Sequence, residues 1–149
     1  MDMTVAGPIE VLGYSVRTKN ADEGDPRTGK IGPLWGRIFK ERILERVPGA
    51  TGARIYAVYG DYESDENGHY TLVVGRESRH GGPVPQGMTR VSIPRASYTV
   101  FEARGEMPRA LIETWGRVWK AQLRRAFTTD FELHDPADPA RVAIHIATK

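Results

Sequence analysis

Read from its residues alone, the chain predicts an α+β fold: a tandem βαββ repeat with two antiparallel half-sheets, two long helices and a central cleft where the halves meet. Apolar residues recur at helical spacing in two windows, 33–47 and 107–125. Each window is preceded by a strand-like run and followed by two more, all rich in β-branched and aromatic residues. A glycine- and proline-rich break, HGGPVPQG at 80–87, divides the two halves.

The first strand is expected over 9–18 (IEVLGYSVRT), and the polar, glycine-containing stretch 19–32 reads as a loop. From Pro33 the text PLWGRIFKERILERV sets Leu34, Ile38, Ile43, Leu44 and Val47 near one helical face, with Pro33 suited to a first turn and Pro48-Gly49 to a stop. ARIYAVYGDYES and HYTLVVGRE then form a hairpin around Asp65-Glu66-Asn67-Gly68, because Asn-Gly favours the tight turns that match strand twist. After the break, TRVSIP and SYTVFEARG read as strands. Met107-Pro108 opens the second helix, with an apolar stripe of Leu111, Ile112, Trp115, Val118, Trp119 and Leu123. Arg124 and Arg125 fall near its end, where cations complement the helix dipole. TDFELHD and RVAIHIATK close the chain as two strands joined by a turn at 136–139.

Composition excludes several function classes. The 149 residues suit one domain, 1–149, large enough to bury a core without covalent staples. With no cysteine there is no disulfide framework, thiolate nucleophile or cysteine-bound metal. No run approaches the roughly 18 apolar residues of a membrane span, and no basic segment precedes an apolar one at the N-terminus, so a cytoplasmic protein is expected. A net charge of +2, from 21 basic and 19 acidic residues interleaved along the chain, demands no phosphate-binding face. There is no zinc spacing, glycine-rich phosphate loop or helix-turn-helix signature, and no cofactor or metal is expected. The acidic run Asp61–Glu66 lacks calcium-loop spacing and reads as a solvated turn.

The run LW at 34–35, IYAVYGDYESDENGHYTLVVG at 55–75, GMTRVSIPRASYTVFEARG at 87–105, and the tryptophan pair at 115 and 119 followed by RAFTTDFELHD resemble the GyrI-like effector-binding family in combination and order. The resemblance runs over nearly the whole chain. It implies a tandem βαββ fold whose members bind lipophilic cationic drugs in a central cleft with a buried glutamate, and the matching position is Glu132. The residues agree: in DFEL, strand alternation turns Glu132 to the face opposite Phe131 and Leu133.

Trp35, Tyr59, Tyr98 and Trp119 are the expected aromatic walls, with Trp115 weighted lower because it shares a helical face with Trp119 and one of them is expected in plain core. Glu102 is a candidate second carboxylate, and His145 reads as an ordinary strand histidine. The first strand is expected within ten residues of Met1, leaving no room for the DNA-binding module that regulators of the family carry ahead of this domain. Direct DNA binding and membrane association are not expected. The leading expectation is therefore a stand-alone protein that binds an amphipathic, cationic or aromatic small molecule. One alternative is a hydrolase of cyclopropane-bearing, DNA-alkylating natural products with Glu132 as general base and a tyrosine hydroxyl polarising the electrophile. Another is a modulator of a protein partner such as DNA gyrase.

Overall fold

The computed structural model describes residues 2–149. Its elements run β1 (Asp2–Ala6), β2 (Ile9–Thr18), α1 (Asn20–Glu23), α2 (Ile31–Glu41), a 3₁₀ turn (Ile43–Arg46), β3 (Ile55–Gly60), β4 (Tyr70–Glu77), β5 (Thr89–Ile93), β6 (Ala96–Arg104), α3 (Arg109–Lys120), β7 (Thr129–His134) and β8 (Arg141–Ala147). The fold is α+β. The expected two half-sheets are one: eight antiparallel strands in the order β1-β6-β8-β7-β3-β4-β2-β5. They join because β3 and β7 pair directly, with Ala57 opposite Glu132 and Tyr59 opposite Asp130.

The edge strands are exchanged. β1 precedes β2 in the chain but pairs with β6, and β5 precedes β6 but pairs with β2. Each chain half thus supplies the edge of the other. β1 lies in a segment to which the sequence assigned no element, since five residues without a clear alternation carry little strand signal.

Side chains of both parities are buried, on two faces with different covers. On one face Leu12, Ala57, Leu72 and Val74 lie beneath Leu34 and Ile38 of α2 and beneath Ile43, Leu44 and Val47. Also there, Val118 of α3 joins Ile144 and Ile146. On the other face Val11, Val58, Ile93, Tyr98, Phe131 and Ala147 form one cluster. Ile93 and Tyr98 belong to strands at opposite ends of the sheet order, so this face buries itself by curling. The two clusters under the helices are separate.

Both helices are shorter than the windows 33–47 and 107–125. Arg42 adopts a left-handed conformation (φ 53°), its N–H returns to the Ile38 carbonyl, and the apolar run continues as the 3₁₀ turn. α3 stops at Lys120, because Ala121 is extended. Arg124 and Arg125 therefore lie beyond the helix, and Arg125 makes a β-bridge to Thr148. At its start, α2 has no side-chain cap of its own. The Glu23 carboxylate of α1 accepts the N–H groups of Lys30 and Ile31 (2.9 and 3.0 Å), satisfying otherwise orphaned donors at the positive end of the helix dipole.

Gly13 and Gly75 face each other across β2 and β4. A Cβ on Gly75 would lie 2.3 Å from the Leu12 carbonyl oxygen, and one on Gly13 would lie 2.1 Å from that of Val74. The strands approach here more closely than side-chained residues allow. Gly75→Ala is expected to cost about 1–3 kcal/mol, as overpacking of a rigid backbone contact does; an unchanged urea midpoint would show that the two strands can separate freely.

Candidate functional site

Between the two helix-covered clusters the sheet carries polar and aromatic side chains among aliphatic ones, and a cavity of about 1070 Å³ opens above them. Its floor comes from β3 (Ile55, Tyr59), β4 (Tyr70), β7 (Glu132, His134) and β8 (Val142). One wall is the face of α2 that bears Ile31, Trp35 and Phe39, spaced four apart, and the other is Leu111, Ile112, Trp115 and Trp119 of α3. Asn20, Glu23, Tyr62 and Glu66 close one end. Phe39, Ile112 and Trp119 are each more than half exposed, which gives the opening an apolar rim.

Glu132 is 1% exposed. A carboxylate so far from water is strongly destabilising unless its oxygens are satisfied. Here Tyr59 Oη donates to Oε2 at 2.8 Å and Trp115 Nε1 donates to the same oxygen at 2.7 Å. Oε1 accepts from the imidazole of His134 at 2.8 Å. The rings brace one another: Tyr59 meets Trp115 edge-on (centroids 5.3 Å), and Trp35 of α2 lies 4.9 Å from the His134 ring. Both helices are thus tied to the carboxylate, α3 directly and α2 through His134.

A second buried carboxylate, Asp130, lies two residues earlier on the same face of β7. Its Oδ2 accepts from Tyr62 Oη (2.5 Å) and Arg125 Nη2 (2.9 Å), and its Oδ1 from the Ala147 N–H (2.8 Å). The Arg125 guanidinium lies 4.4 Å from the Phe127 ring centroid. Tyr70 stands between the two sites, 5.6 Å from Tyr59 and 6.1 Å from Tyr62 by ring centroids.

Of the residues singled out from sequence, Glu132, Trp35, Tyr59 and Trp119 meet at the cavity. Tyr98 does not: alternation along β6 turns it to the self-buried face, where it is 0% exposed, donates to the Pro94 carbonyl and packs edge-on against Phe131. Glu102 is at the surface, where Arg141 and then Arg104 hold its carboxyl below the usual range. His145 stacks on Phe131 away from the cavity, and burial lowers its affinity for a proton. Trp115, weighted low, is one of the two groups bound to Glu132 Oε2. His134, Asp130, Tyr62, Tyr70 and Arg125 were not foreseen. The signal for the first two was present, since Asp130, Glu132 and His134 alternate with Phe131 and Leu133 in TDFELHD.

Known proteins resemble this chain over nearly its whole length. Residues 6–147 match the Cass2 family profile, described as integron-associated effector binding protein. YobU of Bacillus subtilis, named as a transcriptional regulator protein, is 33% identical over 140 residues, spanning 90% of this chain and 87% of YobU. The integron cassette protein VCH_CASS2 from the Vibrio cholerae mobile metagenome superposes with a TM-score of 0.85 at 31% identity, covering 99% of this chain and 95% of that one. SAV2435, solved with tetraphenylphosphonium, shares the fold at a TM-score of 0.75 and 16% identity, covering 99% and 93% of the two chains.

Trp115→Phe keeps an aromatic ring, though a smaller one, and removes the indole N–H; leaving a buried carboxylate one donor short is expected to cost about 1–3 kcal/mol in urea unfolding, besides the lost packing of the larger ring. A smaller loss in Trp115→Phe than in a surface control would mean that water replaces the indole. Burial, then the charge of Glu132, holds the Tyr59 hydroxyl well above the ordinary phenol range; burial, then Asp130, does so for Tyr62, and burial, then Glu23, for Tyr70. Tyr98 is pushed up to about 12, by burial first. Raised folded values mean that the folded chain keeps protons the unfolded chain releases above roughly pH 10. Stability is accordingly full below that pH and lost above it, by roughly 1.4 kcal/mol per pH unit for each such tyrosine. Denaturation midpoints at pH 8, 10 and 11 check this, and a flat profile would contradict it.

Proposed function

The chain belongs to the integron-associated effector-binding protein family, and from that premise we propose that its cavity binds a lipophilic, aromatic cation seated against Glu132. The observation that carries the reading is the way the carboxylate is satisfied. Three of its hydrogen-bonding positions are taken by protein groups, two of them the neutral donors Tyr59 and Trp115. A carboxylate whose oxygens are already satisfied still projects a field into the cavity, but offers a ligand little to bond. That combination suits a delocalised cation without donors, such as a phosphonium or quaternary ammonium, better than a primary amine. Seven aromatic side chains line the cavity and supply ring faces, each worth about 0.5–2 kcal/mol to a desolvated cation. Four carboxylates against two guanidiniums among the lining residues give the same sign of field.

Further support comes from the strand order. Strands 7-8-6 and 3-4-2 run symmetrically outward from the β7–β3 seam, and we read them as two βαββ units with the cavity at their junction. Tetraphenylphosphonium, which SAV2435 binds, is a natural first probe. The hydrolase alternative needs a carboxylate with a lone pair aimed at a water, and the three hydrogen bonds on Glu132 favour binding over that chemistry.

Tetraphenylphosphonium is expected to quench tryptophan fluorescence, because Trp35, Trp115 and Trp119 all line the cavity. Glu132→Gln keeps the shape and removes the charge. In a variant whose circular dichroism matches the parent, cation affinity is expected to fall about ten- to a hundred-fold, or 1–3 kcal/mol. Equal affinity of parent and variant would remove the carboxylate from the account.

A further inference from the structure

Among the described residues one buried side-chain polar atom has no hydrogen-bond partner, and it belongs to a cation that lines the cavity. Arg125 lines the cavity, and its side chain is only 10% exposed. Its backbone is stapled to the end of β8: Lys149 N–H reaches the Arg124 carbonyl at 2.8 Å and Ala126 N–H the Ala147 carbonyl at 2.9 Å. The guanidinium is thereby delivered to a fixed place beside Asp130.

The pair it forms there is lopsided. Asp130 accepts three hydrogen bonds, from Tyr62, Arg125 and the Ala147 N–H. Arg125 carries five N–H groups. Its Nη2 donates to Asp130, while its Nε is buried without any acceptor among the described residues. A purely structural ion pair in so dry a place is expected to satisfy both partners, since each buried donor left open costs about 1–3 kcal/mol.

We infer that Arg125 is a second anchor in the cavity and takes an oxygen of the ligand, a carboxylate, carbonyl or phosphoryl group, through the guanidinium N–H groups that Asp130 leaves free. This rests on the binding reading above and deepens it: the ligand is two-ended, with a lipophilic cation at Glu132 and an acceptor oxygen at Arg125. The two anchors are neighbours: Glu132 and Asp130, which holds Arg125, are two residues apart on one face of β7, so their Cα atoms are about 7 Å apart. Tyr59, Tyr70 and Tyr62 form the row of rings between them.

The test compares (4-carboxybutyl)triphenylphosphonium with pentyltriphenylphosphonium, which share the cation and chain and differ in the terminal oxygens. The parent protein is expected to bind the carboxylate-bearing probe about ten-fold more tightly. In Glu132→Gln both affinities should fall while their ratio persists. In Arg125→Gln, or in the charge-balanced Arg125→Met with Asp130→Asn should the single variant fail to fold, the ratio should collapse to about one, with the pentyl probe scarcely changed. In the parent protein, a guanidinium Nε–H resonance should shift with the carboxylate-bearing probe alone. A ratio near one in the parent, or one that survives loss of the guanidinium, overturns the proposal. If neither phosphonium binds, the cation reading fails by itself. Arg125 is then judged by 5-phenylpentanoate against pentylbenzene, where preference for the oxyanion in the parent and not in the variants upholds the anchor and equal binding overturns it.

Discussion

The charge on Glu132 has to be kept in a place where water does not reach it, and most of the site's structure is the means of doing so. Its position is set by the β3–β7 pairing at the middle of the sheet, opposite Ala57. One oxygen collects a phenol from β3 and an indole from α3, and the other an imidazole from its own strand. The imidazole in turn meets Trp35 of α2. Replacing the carboxylate by an aliphatic side chain would leave three buried or half-buried polar groups without a partner, so the cost would spread well beyond one residue.

The same constraint explains why the cavity stays open. A helix laid on a sheet ordinarily buries an unbroken apolar stripe. Here α2 and α3 each bury one part of their stripe, Leu34 and Ile38 on α2 and Val118 on α3, over their own half of the sheet. The adjacent part, Trp35 with Phe39 and Trp115 with Trp119, is turned toward the gap above the polar floor. Closing that gap would press aromatic rings onto a charged strand and gain little. The curled opposite face, closed by Tyr98 and Phe131 with the exchanged edge strands, gives the floor a rigid backing.

Much of this was legible in the chain itself. Seven of the eight strands, the two amphipathic helices, and the candidates Glu132, Trp35, Tyr59 and Trp119 that line the cavity came from periodicity together with the family resemblance. The failures have physical causes. Tyr98 resembles a cavity aromatic in sequence, but its side is decided by the phase of β6, and TVFEA is apolar or mixed at both parities. Arg124 and Arg125 looked like helix-end cations because nothing local announces that Ala121 is extended. The Asp130–Arg125 and Glu132–Trp115 pairs join segments that meet only after the sheet has formed, and no local rule registers them. The left-handed Arg42 that ends α2 carries no glycine signal at all.

The account rests on a cation lying against Glu132 between α2 and α3. The most direct measurement is a crystal structure of the protein with tetraphenylphosphonium. The account predicts the phosphorus over the Glu132 carboxylate, the phenyl rings among Trp35, Tyr59, Trp115 and Trp119, and the Tyr59 and Trp115 hydrogen bonds intact. A cation bound on the outer surface, or an occupied cavity in which Glu132 has turned away from the ligand, would contradict it.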